Sequence, residues 1–121
     1  MKTFKMPAGY YYIGDACYLL ARDDYAKVLN DNYEFVCGKV RGRRVAIFET
    51  DHGDGTYYDN ERRAYYVDAA NIACVPVEIA KTDHDNLVNV VQFVKSFECY
   101  SENGFIRFGD IVINTSSGAT L

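Results

Sequence analysis

The stretch Glu49–Ala70, ETDHGDGTYYDNERRAYYVDAA, concentrates side chains that can do chemistry. Asp51, Asp54, Asp59 and Asp68, with His52 and the earlier Asp15, are the residue types of an oxygen-donor metal site or an acid–base pair. An EF-hand calcium loop begun at Asp51 needs oxygen donors at its third and fifth positions, where Gly53 and Gly55 stand instead. A nucleophile is no better supported. Neither a Gly-x-Ser-x-Gly elbow nor a Gly-x-x-x-x-Gly-Lys-Ser/Thr phosphate loop occurs. Cys17 with His52 is only a formal thiol–imidazole pair of the kind that chance supplies. A metal-assisted hydrolase using Asp15, Asp54, Asp59 and Asp68 with His52 therefore stands as a subordinate reading.

The same stretch also reads as a ligand cradle. Gly53 and Gly55 can take positive φ and let a ligand approach the backbone. Tyr57, Tyr58, Tyr65 and Tyr66 offer aromatic faces, alternate members sharing one face of a strand. Arg43, Arg44, Arg62 and Arg63 can meet phosphates with paired N–H groups. The candidate ligand-binding set is Asp15, Arg43, Arg44, Gly53, Asp54, Gly55, Tyr57, Tyr58, Arg62, Tyr66 and Asp68. The competing reading is a tight turn followed by a two-stranded ribbon, with Gly, Asp and Asn present because the backbone needs them.

Charge and composition bound the partners. A formal net charge of −4 argues against general nucleic-acid binding, which needs a basic footprint. One basic cluster, Lys39, Arg41, Arg43 and Arg44, is either a solvated sheet edge or a phosphate-facing patch. Cys17, Cys37, Cys74 and Cys99 lack the close pairing of zinc ligands and read as reduced thiols. No cofactor is expected. No apolar run reaches membrane-span length and no signal-peptide pattern opens the chain, so a cytoplasmic protein is expected. Eleven Tyr and no Trp suit half-buried sheet faces and, where clustered, recognition surfaces.

The elements that must position these groups are mostly strands. GYYYIG is a strand, and Asp15 caps the turn that follows it. Leu20, Tyr25, Val28 and Leu29 share a helical face, Asp23 and Asp24 suit its N-terminus, and Asn30–Asn32 end it, which predicts a helix at about 22–31. GKVRGRRVAIFET, TYYD, AYYVDAA and NIACVPVEI read as strands, with Pro76 near a strand end or edge. LVNVVQFVKSFECYS is long enough for a helix, but its alternation and its Val and Phe content favour a strand over at least 91–100. Asn103-Gly104 predicts a hairpin, and FIRF, GD and IVINT complete a meander. The expectation is one α+β domain over residues 1–121, with a mostly antiparallel sheet able to curl towards a small barrel and one main helix on one face. An exposed Tyr-bearing edge strand is compatible with an oligomer.

YYIGDACYLL, GDGTYYDNERRAYYVDAANIACVPVEI and GFIRFGDIVINT together resemble a group of small, largely uncharacterised proteins of tailed bacteriophages and bacteria. That group carries Gly-Asp-Pro-Cys-Tyr, Gly-Asp-Gly-x-Tyr-x-Asp, Tyr-x-Val-Asp-Ala/Ser-Gly and Val-Pro motifs. The matching positions are Gly14, Asp15, Cys17, Tyr18, Gly53, Asp54, Gly55, Tyr57, Asp59, Tyr66, Val67 and Asp68. Ala16 and Ala70 depart from the usual Pro and Gly. The resemblance implies a phage-encoded accessory protein acting in the host cytoplasm, and transfers no activity. Combined with the Tyr/Arg/Gly cluster, it suggests a non-enzymatic protein that sequesters a small anionic, nucleotide-like ligand as counter-defence. An inhibitor or adaptor of a host protein is the alternative.

Overall fold

A computed structural model describes residues 3–31, 37–81 and 87–116, with the backbone alone for 27–31 and 37–39. Among the described residues, eleven strands and two helices run in the order β1 (Phe4–Met6), β2 (Gly9–Gly14), α1 (Ala16–Leu19), α2 (Arg22–Asp31), β3 (Cys37–Val40), β4 (Arg43–Glu49), β5 (Gly55–Tyr58), β6 (Ala64–Val67), β7 (Asn71–Pro76), β8 (Asn89–Phe93), β9 (Phe97–Glu102), β10 (Phe105–Phe108) and β11 (Ile111–Asn114). The fold is α+β and mostly antiparallel. A five-stranded sheet has the order β3-β4-β7-β2-β8, a four-stranded sheet the order β1-β9-β10-β11, and β5–β6 forms a separate ribbon.

The five-stranded sheet is the middle layer, and the period-2 alternation of its strands shows why. Tyr11, Ile13, Ala46, Phe48, Ile72 and Cys74 face a core shared with Phe97, Cys99, Ile106, Phe108 and the ribbon residues Tyr57 and Tyr65. Val45, Ile47, Ala73 and Val75 face the other way, onto Ala16, Leu19 and Leu20. With both faces covered, all six residues of β7 are buried, which is why IACVP, after the hydrogen-bonded Asn71, is a continuous apolar run instead of an alternating one. The main helix falls at Arg22–Asp31 as its caps and acids predict, with Asp23 and Asp24 in its first turn. Tyr25 packs beneath it, while Val28 and Leu29 have side chains outside the described residues.

Turn chemistry sets the registers. Asn103 (φ 52°) and Gly104 (φ 81°) make the two-residue turn that pairs β9 with β10 as expected. Arg41 (φ 51°) and Gly42 (φ 78°) make a second such turn, so the stretch read as one strand from Gly38 is the β3–β4 hairpin. Pro76, without an N–H, is the last residue of β7 and sits opposite Tyr11.

Three expectations change. The chain opens with a strand at Phe4–Met6 before GYYYIG, because Met6 fills the core beside Phe97. The strand expected over 91–100 is two strands in different sheets, broken at Val94–Ser96. Its periodicity looked unbroken because Val91, Phe93, Phe97 and Cys99 all point into the same core, with the Phe93 and Phe97 rings stacked at 3.6 Å. The larger sheets also stay open, ending in β3 and β8 and in β1 and β11, so no barrel closes. No helix among the described residues is long and apolar enough to cross a membrane.

Candidate functional site

Two of the three motif segments meet at one carboxylate. Asp15 is fully buried at the N-cap of α1. Its Oδ1 accepts the amide of Cys17 at 2.9 Å, and its Oδ2 accepts those of Asp68 at 2.7 Å and Ala69 at 2.6 Å. Asn71, equally buried, accepts the Ala16 amide at 2.9 Å and donates to the Tyr25 hydroxyl at 3.0 Å. Ala16 supplies an N–H here that a Pro would lack. Asp54 accepts the amide of Ala70 at 2.9 Å, and Ala70 takes a left-handed φ of 57°, a conformation that favours Gly. Gly53 (φ 76°) and Gly55 (φ 151°) take the positive φ expected of them, and the Gly53 carbonyl accepts from the Tyr57 hydroxyl at 2.7 Å.

This junction joins elements and leaves little for a ligand. Both Asp15 oxygens are committed to backbone, Tyr57 is a core residue at 1% exposure, and only Asp54 and Asp68 are exposed. Burial and then the hydrogen-bonded Asp15 carboxylate push the Cys17 thiol up to about 12, so it is protonated at neutral pH and unfit as a nucleophile. His52 lies exposed in the β4–β5 turn.

The ribbon turn is built around Asp59. Its Oδ1 accepts the amides of Glu61 at 2.7 Å and Arg63 at 3.0 Å, and its Oδ2 accepts Arg63 Nη1 at 2.8 Å and the Tyr65 hydroxyl at 2.7 Å. Burial opposes the charge, but the bonds from Tyr65 and Arg63 outweigh it and hold the carboxyl below its usual value. Arg63 is therefore part of the turn and Tyr65 part of the core. Tyr58 is half-buried, Tyr66 exposed, and Arg62 exposed at φ 67°. Among the described residues, no group of three His, Cys, Asp or Glu side chains could hold a metal ion.

Arg43 and Arg44 lie elsewhere. Glu49, at the far end of β4, pairs with Asn71 at the junction. Six residues of strand put Arg43 about 20 Å from it at ~3.3 Å per residue. The two arginines instead line a cleft of about 420 Å³ with Lys5, Met6, Pro7, Gly42 and Ser96. Arg44 Nη1 donates to the Lys5 carbonyl at 2.6 Å, and Arg43 spreads Nη1 and Nη2 over one Glu78 oxygen at 3.2 Å. Ser96 also borders a second cleft of about 520 Å³, lined by Phe93, Phe97, Tyr100, Lys95 and Arg107, where the Arg107 guanidinium sits 5.7 Å from the Tyr100 ring centre. The predicted set thus divides into a folding junction (Asp15, Gly53, Asp54, Gly55, Tyr57, Asp68), the ribbon (Tyr58, Arg62, Tyr66) and a cationic cleft (Arg43, Arg44). Sequence reasoning missed Lys5 and Ser96, which reach the cleft from β1 and the β8–β9 turn, and Asn71, whose apolar neighbours masked it. The chain matches no known family model, no characterised protein sequence and no solved structure.

Proposed function

We propose that this protein is a non-enzymatic binder of a small anionic ligand of nucleotide-like chemistry, held in the cleft between β1 and the β3–β4 hairpin. The observation that carries this reading is the convergence of Lys5, Arg43 and Arg44 on one cleft that adjoins, at Ser96, a second one lined by aromatic rings. Arg44 spends one N–H on the Lys5 carbonyl, which orients the rest of its fork towards a phosphate. The Arg43–Glu78 pair is exposed on both sides, 41% and 55%, and a pair of that kind is worth at most about 1 kcal/mol, so a multivalent anion can displace Glu78. Tyr100 and Arg107 offer stacking surfaces for a base. Joined to the phage resemblance, the reading is of a phage-encoded protein that withholds such a ligand in the host cytoplasm.

Native mass spectrometry with linear and cyclic nucleotides tests it. Intact adducts are expected, weakened at least tenfold by Lys5→Ala or Arg44→Ala and unchanged by Arg62→Ala. Equal affinity in all variants refutes the cleft. Conversion of a nucleotide to product would replace binding by hydrolysis.

A further inference from the structure

The edges of the two larger sheets are treated differently. On β9 the Glu98 carbonyl bonds Gly109 on the β10 side, so Phe97 and Cys99 bond β1, and Lys5 turns its backbone outward. Its carbonyl is taken by Arg44. At β11 the outward groups of Val112 are clasped by Asn60: the Asn60 amide donates to the Val112 carbonyl, and the Val112 amide donates to Asn60 Oδ1, each at 3.0 Å. β3 lies against α2 and carries Lys39. These are the usual means of blocking strand addition.

Among the described residues, β8 has none of them. The Tyr10 carbonyl accepts from Val77 on the β7 side, so the neighbouring residues Gly9, Tyr11 and Ile13 bond β8. Their partners Phe93, Val91 and Asn89 are thereby used. Val90 and Gln92 point their N–H and C=O groups away from the sheet. The side chains on that parity are uncovered too: Val90 is 61% exposed, Val94 80% and the adjacent Tyr10 53%. Asn89–Val94 contains no charge, no Pro and no Gly.

We infer that β8 pairs antiparallel with β8 of a second copy of this chain, joining two five-stranded sheets into one across a two-fold axis at Gln92. The sequence NVVQFV is self-complementary in that register. Val90 falls opposite Val94, Val91 opposite Phe93, and Gln92 opposite its own copy, where the two amides can bond. Lys95 falls opposite the uncharged Asn89, so two chains of net charge −4 meet without a like-charge pair. A strand of a different protein would need to match this neutral pattern by coincidence, whereas a second copy matches it by symmetry.

Sedimentation velocity on the full chain is expected to show a species of twice the 13.7 kDa chain mass at micromolar concentration. Val90→Lys combined with Val94→Lys should weaken the dimer at least tenfold while leaving the circular dichroism unchanged, since both side chains are exposed. Gln92→Cys should cross-link to its own copy under mild oxidation, because bonded antiparallel partners lie about 5.5 Å apart at Cα, within disulfide range. Phe105→Cys, on the other sheet, should not. A monomer at 200 µM, a dimer indifferent to the double Lys variant, or Gln92→Cys cross-linking no faster than Phe105→Cys would each overturn the inference.

Discussion

Replacing Asp15 with Asn keeps the size of the side chain and removes its charge and one acceptor oxygen. Three backbone amides aim at that carboxylate from two segments more than 50 residues apart, and the carboxylate itself is fully buried. The carboxamide oxygen can serve the Asp68 and Ala69 amides or the Cys17 amide, but not both. Its NH₂ then faces a donor. Losing a charge-assisted bond costs about 1.5–3 kcal/mol and stranding a buried amide about 1–3 more, so a loss of about 3–5 kcal/mol is expected. Against a total stability of about 5–15 kcal/mol, that is a large fraction. Asp68→Asn is the control, because Asp68 contributes its amide and leaves its side chain exposed. It should stay within about 0.5 kcal/mol of wild type. Urea unfolding followed by circular dichroism reads both, with the slope checked for constancy. An Asp15→Asn loss below about 1 kcal/mol, or an equal loss for Asp68→Asn, would refute the junction as the reason for this acid.

Ala70→Gly should stabilise the protein, by about 0.5–1 kcal/mol in the same assay, because relief of left-handed strain at φ 57° exceeds the added chain entropy of Gly. Asp59 has its carboxyl held low in the folded state, so its contribution is complete above the unfolded value of about 4 and is lost as pH falls through the lower folded value. Asp59→Asn should therefore lower stability at pH 7 and flatten its fall below about pH 4; an acid limb as steep as wild type's would contradict this. Cys17, pushed up to about 12, should react with iodoacetamide at pH 8 at least about 100-fold more slowly than a free thiol, with mass mapping of the labelled peptide as the check.

Local chemistry was legible in the residues themselves. The helix at Arg22–Asp31, the Asn103-Gly104 turn, the Asp15 cap, the positive φ of Gly53 and Gly55, and the short antiparallel strands all follow from side-chain period and from which residues tolerate which backbone angles. Such preferences act within a few positions and need no partner. Grouping was a different matter. Arg43 and Gly53 are ten residues apart, yet β4 carries them to opposite ends of a sheet, while Lys5 arrives beside Arg44 from 39 positions away. Tyr57 and Tyr66 read alike in sequence, and only the layer beneath the ribbon made one core and the other surface. The break at Val94–Ser96 was invisible because both flanking strands fill one core with the same parity. Sequence by itself determined the elements and the acids and glycines that shape their joints. Tertiary structure alone decided which charges share a cleft and which edge stays bare, because strand pairing joins distant segments and a one-residue change of register reverses the face every side chain presents.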